Sequence, residues 1–316
     1  MLCIKKPLIL NAIYKKESIT QKVNFPGFDL RGCSVHIRRE DKIHPFISGN
    51  KYHKLKYNIA YALEHGYTTL LTFGGAYSNH ILATAVAARE AGLQSVGFIR
   101  GEELYLSVDS NPTLRKAKEH GMEFRFVSRE DYREKDSSEF MLQLLEEYPT
   151  AYILPEGGNN ALAVKGCEDI LQPGDEDFRL ITTAVGTGGT MAGIVKSSLP
   201  HQKVLGFSVL KGTFQQKTLL GYTDKTNHFI TDAYCFGGYA KVDPLLIDFI
   251  NEFKEETGIP LDPIYTGKMM YGIRECIKNA FFDENSRILA IHTGGLQGIE
   301  GMNLQLAKRK LPQIII

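Results

Sequence analysis

The sequence predicts an α/β protein whose open, twisted parallel sheets are covered by helices on both faces. Three observations carry that prediction. Short β-rich runs alternate with stretches of helical period over most of the chain, most runs and helices stop at glycine, and glycine-rich turns join strand to helix at several places. Consecutive strands separated by helices need crossover connections, and a crossover joins parallel neighbours.

Residues 55–64 carry apolar side chains at helical spacing and stop near Gly66, and 69–73 read as a strand ended by Gly74 and Gly75. The alanine-rich segment 80–91 is a predicted helix closed by Gly92, 95–99 a strand, and 112–120 a helix opened by Pro112 and stopped by Gly121. Strand 124–127, helix 139–148 and strand 151–154 follow. Further on come strand 181–185, helix 191–198, strand 204–210, helices 244–256 and 269–280, and a buried strand 288–291. Ligands in such sheets sit beyond the carboxyl ends of the strands, which brings forward the loops 74–80, 155–160, 186–190 and 292–295.

The totals narrow the function. With 316 residues, 43% hydrophobic and 23% charged, the chain suits two globular domains or one large one. A net charge of +1 leaves no basic field for nucleic acid, and no apolar run approaches the ~20 residues of a membrane helix. The opening residues have no small-residue cleavage site and read as mature sequence. The five cysteines, Cys3, Cys33, Cys167, Cys235 and Cys276, are scattered with no C-x-x-C pair, so they predict reduced thiols in a cytoplasmic protein and no metal site.

Three segments carry chemistry. Gly186, Thr187, Gly188, Gly189 and Thr190 follow a strand and open a helix, so their N–H groups and the helix N-terminus would cradle an anion. A dinucleotide fingerprint fails there, because Met191 stands where a third glycine belongs and the next strand ends in Lys211 with no acid. One phosphate monoester fits better; a turn without ligand is the alternative. Lys51 sits between a glycine turn and a helix, with Lys54 one turn on and on the same face. A helix start repels a cation, and repulsion with desolvation makes an amine nucleophilic; a solvated lysine-rich turn is the alternative. Ser78 and Asn79 are N-cap types, and N–H groups left uncapped beside them would hold a carboxylate; a plain cap is the alternative.

Together these segments resemble a family. Gly49-Asn50-Lys51 with Lys54 and Leu55, Gly74-Gly75 with Ser78-Asn79-His80, Pro155-Glu156-Gly157-Gly158, the loop from Gly186 to Gly193, Asp262-Pro263 with Tyr265-Thr266-Gly267-Lys268, and His292-Thr293-Gly294-Gly295 are similar to the D-cysteine desulfhydrase and 1-aminocyclopropane-1-carboxylate (ACC) deaminase family. The motifs stand in family order from about residue 36 to 302. The resemblance implies a tryptophan synthase β-subunit-like fold of two α/β domains, here 1–52 with 161–316 as the larger and 53–160 as the smaller, with pyridoxal 5'-phosphate (PLP) in the cleft. It implies a homodimer acting on a small amino acid.

By the same resemblance Lys51 holds the cofactor covalently, Lys54 and the loop from Gly186 to Thr190 hold its phosphate, and Asn79 hydrogen-bonds it. Ser78, Asn79 and His80 face the substrate carboxylate, Tyr239 and Tyr265 lie near the substrate, and Thr266 and Thr293 lie on the pyridine-nitrogen side. ACC deaminases carry Glu and Leu at those two threonine positions. A threonine pair leaves the nitrogen neutral, a weaker electron sink suited to β-elimination of thiolate more than to cyclopropane opening. The implied activity is release of pyruvate, ammonia and sulfide from D-cysteine. ACC deamination is the second reading and a non-catalytic PLP-binding protein the third; the full set of Lys51, Ser78, Asn79 and both tyrosines speaks against the last. Tyr52, His53, Ala76 and Tyr77 depart from the family pattern and are expected to reshape the pocket.

Overall fold

The computed structural model describes residues 18–47 and 49–315; Cys3 and the opening apolar run lie outside them. In the first half the elements are β1 (Thr20–Val23), β2 (Ser34–Arg38), α1 (Asn50–Glu64), β3 (Thr69–Gly74), α2 (Asn79–Glu90), β4 (Gln94–Arg100), α3 (Pro112–Glu119), β5 (Met122–Val127), α4 (Ser138–Glu147) and β6 (Ala151–Leu154). The second half adds α5 (Ala161–Cys167), β7 (Leu180–Val185), α6 (Gly189–Ser197), β8 (Lys203–Ser208), α7 (Gln215–Leu220), β9 (His228–Thr231), α8 (Pro244–Thr257), α9 (Thr266–Lys278), β10 (Arg287–Ile291) and α10 (Gly298–Lys308).

The strands form two sheets. One has the order β5-β4-β3-β6 and is parallel throughout. The other has the order β1-β2-β10-β7-β8-β9 and is parallel except at β1, which runs antiparallel to β2 at the edge. The antiparallel edge departs from the all-parallel expectation because β1 reaches β2 through the loop 24–33, which holds a single 3-10 turn and no crossover α-helix. Helices cover both faces of each sheet, as predicted. In the four-stranded sheet, Leu70 and Ile99 pack against Leu55, Ile59 and Ile81 of α1 and α2, whereas Leu71, Phe73 and Phe98 pack towards Tyr132 and Leu144. In the larger sheet, Val35, Phe207 and Ile288 join the α8–α9 side, and Ile181, Val204 and Leu289 the α5–α6 side.

Two local features differ from the sequence reading. Helix α1 begins at Asn50, five residues earlier than its apolar period suggests, so Lys51 and Lys54 lie inside its first turns. A domain boundary between residues 52 and 53 would therefore cut a continuous helix. Second, α5 packs closely on α1: a Cβ on Gly166 would stand 1.9 Å from the His53 carbonyl oxygen. That close approach holds the lysine-bearing helix near α6 and its glycine loop.

Candidate active site

The carboxyl ends of β3, β6, β7 and β10 open into one cavity of about 360 Å³. All four loops singled out in the sequence contribute: Ser78, Asn79 and His80; Pro155, Glu156 and Gly157; Gly186, Thr187, Gly188 and Thr190; and Thr293, Gly294 and Gly295. Lys51, Lys54, Tyr239 and Tyr265 complete the set.

Backbone geometry sets the lysines in place. Gly49 precedes α1 at φ 62°, ψ −139°, and the Asn50 N–H donates to the Thr293 carbonyl at 3.3 Å. The Asn50 side chain donates to Thr190 Oγ1 at 2.8 Å, so the lysine helix and the glycine-loop helix α6 are joined directly. Burial, and then the charge of Lys54, lower Lys51 from 10.5 to about 7. Burial also lowers Lys54, whose Nζ donates to the Gly157 carbonyl at 3.0 Å. Two amines, Lys54 buried and Lys51 partly so, thus share the cavity without a carboxylate in ion-pair contact with either among the described residues. Cys167, the thiol beside them, is pushed up to about 11 by burial and stays protonated.

The loop opposite supplies anion-binding groups. Gly188 takes the left-handed conformation (φ 93°) and caps α6 without a side-chain bond, leaving the first N–H groups of that helix to the cavity side. Asn79 Oδ1 is buried with no hydrogen-bond partner among the described residues. An orphaned amide oxygen and two amines lacking a counter-anion, next to a helix start, fit a ligand carrying a phosphate and further polar groups. PLP meets those demands: Lys51 would hold it covalently, Lys54 and residues 186–190 its phosphate, and Asn79 its ring substituents.

Histidine 80 has a defined tautomer. Thr72 Oγ1 donates to the Leu154 carbonyl at 3.1 Å, so it can only accept from His80 Nε2 at 2.9 Å. The bare Nδ1 is buried and unpartnered, and burial with the two lysine charges holds the ring neutral, well below its ordinary range. A neutral ring with a bare nitrogen accepts hydrogen bonds and does not donate to a carboxylate. Ser78 Oγ accepts from the His80 N–H at 3.3 Å, a long cap that leaves the Asn79 N–H outside it.

Tyr265 is partly buried, and desolvation followed by neighbouring Tyr239 raises its phenol well above 10, so it stays protonated. Half-exposed Tyr239 meets it edge-on with ring centroids 6.3 Å apart.

Two of the expected site residues do not line the cavity. Thr266 is wholly buried: its hydroxyl donates to Asp262 Oδ1 at 2.7 Å and accepts from the Asp262 N–H at 2.9 Å, closing the turn before α9. Gly189 is packed from behind, where a Cβ would stand 1.6 Å from Asn159 Oδ1; its glycine requirement is a packing one. Tyr52, His53, Ala76 and Tyr77 do not line the cavity either. The His53 ring meets Glu40 at 2.6 Å, and the Tyr77 ring lies on Gly301. Conversely, Lys135, Asp136 and Glu156 stand at the wall with no assigned role from sequence. Lys135 lies 3.0 Å from Asp136 and 3.4 Å from Glu156. Glu156 was legible as the residue after a strand and a proline. Lys135 and Asp136 follow a short 3-10 turn and have no local signal.

Comparison with known proteins accords with this geometry. Residues 13–294 match the family model described as pyridoxal-phosphate dependent enzyme. The chain belongs to that family. This PLP-dependent enzyme is 33% identical over 303 residues to the mitochondrial bifunctional D-cysteine desulfhydrase/ACC deaminase of Arabidopsis thaliana, covering 87% of this chain and 75% of that protein. It is 33% identical over 291 residues to a Pyrococcus abyssi protein provisionally named an ACC deaminase, covering 85% and 86% of the two chains. Among solved structures, an ACC deaminase homologue superposes with a TM-score of 0.80 at 27% identity, covering 97% of this chain and 99% of that one.

The cavity makes a pH prediction. An amine attacks only when neutral, so capture of PLP by the cofactor-free enzyme should slow about tenfold per unit below pH ~7 and level off above it. Because the folded value of Lys51, about 7, lies below its ordinary 10.5, the unfolded chain binds the extra proton between them. The cofactor-free fold therefore carries the full penalty below pH 7 and gains stability as pH rises from 7 towards 10.5. Stopped-flow absorbance of PLP binding across pH 5.5–9 measures the first effect; a flat rate through pH ~7 would exclude Lys51 as the low-value amine.

Proposed function

We propose that the enzyme catalyses β-elimination on D-cysteine or a closely related D-amino acid, giving pyruvate, ammonia and sulfide. The observation that carries this reading is the wall at 292–295. Thr293 lines the cavity there, and the nearby Asp262 carboxylate is fully engaged. Its Oδ2 accepts from the Ile264 and Tyr265 N–H groups at 2.9 Å, and its Oδ1 from the Thr266 N–H and hydroxyl at 2.8 and 2.7 Å. With Thr266 turned away, the argument for a neutral pyridine nitrogen rests on Thr293 alone: a hydroxyl can bond that nitrogen but cannot hold it protonated as a carboxylate would.

Bound in this cavity, PLP supplies the electron sink for charge developing at the substrate Cα. The residues supply the rest. The N-terminus of α2 at Ser78 and Asn79 orients the substrate carboxylate. Lys51, lowered to about 7 and so largely neutral just above that pH, would take the Cα proton. Tyr265, held protonated by burial, donates to the departing sulfur, with Tyr239 beside it. Water then completes the balance, D-cysteine plus water giving pyruvate, ammonia and hydrogen sulfide. The two sheets are read as the cores of two domains flanking this cleft, 1–52 with 161–316 and 53–160, with α1 running across their boundary, in a cytoplasmic homodimer.

The test is product release. D-Cysteine should yield sulfide and pyruvate in equal amounts, with 2-oxobutanoate from ACC lower by at least about a hundredfold, or ~2.7 kcal/mol in barrier. Equal turnover of ACC would move deamination to first place. Thr293→Leu is the cleaner single exchange, because a glutamate at the buried, fully bonded Thr266 would meet the Asp262 carboxylate.

A further inference from the structure

The DPxYTGK segment ends in Lys268, a residue that neither the cofactor nor the substrate reading employs. Its side chain is 1% exposed. Its Nζ donates to the carbonyls of Cys235 at 2.9 Å and Gly238 at 2.7 Å, and it is in no ion pair among the described residues. Burial lowers the amine to about 8. A lysine placed this deep against two carbonyls, without a carboxylate, is costly unless those carbonyls need it.

Those carbonyls belong to two consecutive turns. The Gly238 N–H donates to the Cys235 carbonyl at 3.0 Å, and the Lys241 N–H to the Gly238 carbonyl at 3.2 Å. The same two oxygens therefore close the turns and receive Lys268. Tyr239 follows Gly238 directly, inside the second turn. The surrounding backbone is unfavourable by itself: Phe236 (φ 51°), Gly237 (φ 84°), Gly238 (φ 116°) and Ala240 (φ 54°) all take positive φ, two of them with side chains. Such a loop persists only when its surroundings over-determine it. Lys268 lies in the first turn of α9, whose N-cap is Tyr265. One helix start thus carries Tyr265 directly and ties down the loop that presents Tyr239.

We propose that Lys268 is a positioning residue for Tyr239: its two bonds to the 235–238 turns hold the strained loop so that Tyr239 meets Tyr265 at the cavity. This rests on the proposed elimination only for what Tyr239 is positioned to do; the clamp itself is a property of the chain.

The experiment has two arms. In cofactor-free Lys268→Met protein, amide hydrogen exchange read by mass spectrometry should rise at least tenfold in peptides covering 235–241 and stay unchanged in 186–195. In the loaded enzyme, Lys268→Met should lower kcat/KM for D-cysteine at least tenfold, with PLP affinity within twofold of wild type. The same substitution in a Tyr239→Phe background should cause no further fall, because the two residues act as one unit. Unchanged exchange at 235–241, or the same loss in the Tyr239→Phe background, overturns the proposal. Raised exchange in an enzyme that never turns over D-cysteine overturns the elimination reading and leaves the clamp standing. Should Lys268→Met not fold, Lys268→Gln keeps N–H donors on a shorter chain; it should show the same localised exchange, and a uniform rise across the protein would count against the clamp.

Discussion

Replacing Lys51 with alanine should abolish the visible absorbance of covalently held PLP and lower turnover by at least about 10³-fold, since both the attachment point and the positioned base are lost. The structure supports this choice over its neighbours. Lys51 and Lys54 both line the cavity, but Lys54 is committed to the Gly157 carbonyl, whereas the contact of Lys51 with Asn50 Oδ1 is long, at 3.5 Å. Lys56 points elsewhere and pairs with Asp169 at 2.9 Å. Lys54→Ala should accordingly keep the covalent link and bind PLP more weakly. Borohydride reduction followed by peptide mapping decides the matter: label on Lys54 or Lys56 would refute the assignment.

Gly49→Ala should be almost as damaging, although it removes no reacting group. At φ 62° and ψ −139° the residue occupies backbone space that side chains rarely enter. An added Cβ would stand 1.9 Å from the Thr293 carbonyl oxygen and 2.5 Å from the Gly294 nitrogen, both backbone atoms with nowhere to yield. Strain and overlap together cost about 2–5 kcal/mol. The variant should show a depressed unfolding midpoint, and whatever folds should bind PLP poorly, because Lys51 and the 292–295 loop can no longer approach. Thermal unfolding with and without PLP measures both; a wild-type midpoint would show that the backbone relaxes more cheaply than this geometry allows.

The alternation of strand and helix was legible because burial of both sheet faces imposes periods of two and 3.6 that survive without knowledge of the partners. Segments with weak periods were not. Strand β1, helix α5 and strand β9 are short, and β1 and β9 are sheet-edge elements whose order comes from the neighbour they pair with. Helix α1 starts early for a related reason. Its polar first turn, Asn50 to Lys54, is held by Thr190, Thr293 and Gly157, which are distant in the chain.

Within the site, the sequence by itself determined the loops, the lysine pair and the glycine loop, because each lies at a strand end or helix start marked by local turn chemistry, whereas the two tyrosines came only from the family resemblance. Which way each side chain faces was left to the tertiary structure. Thr266 and Thr293 look equivalent as letters, yet Asp262 engages the hydroxyl of one and leaves the other at the cavity. Gly188 and Gly189 are neighbours, yet one takes a left-handed turn and the other makes room for Asn159. The low value of Lys51, the tautomer of His80 and the partners of Lys268 arise from burial and from groups dozens of residues away. Those quantities depend on which atoms surround a group in space, and adjacency along the chain does not encode them.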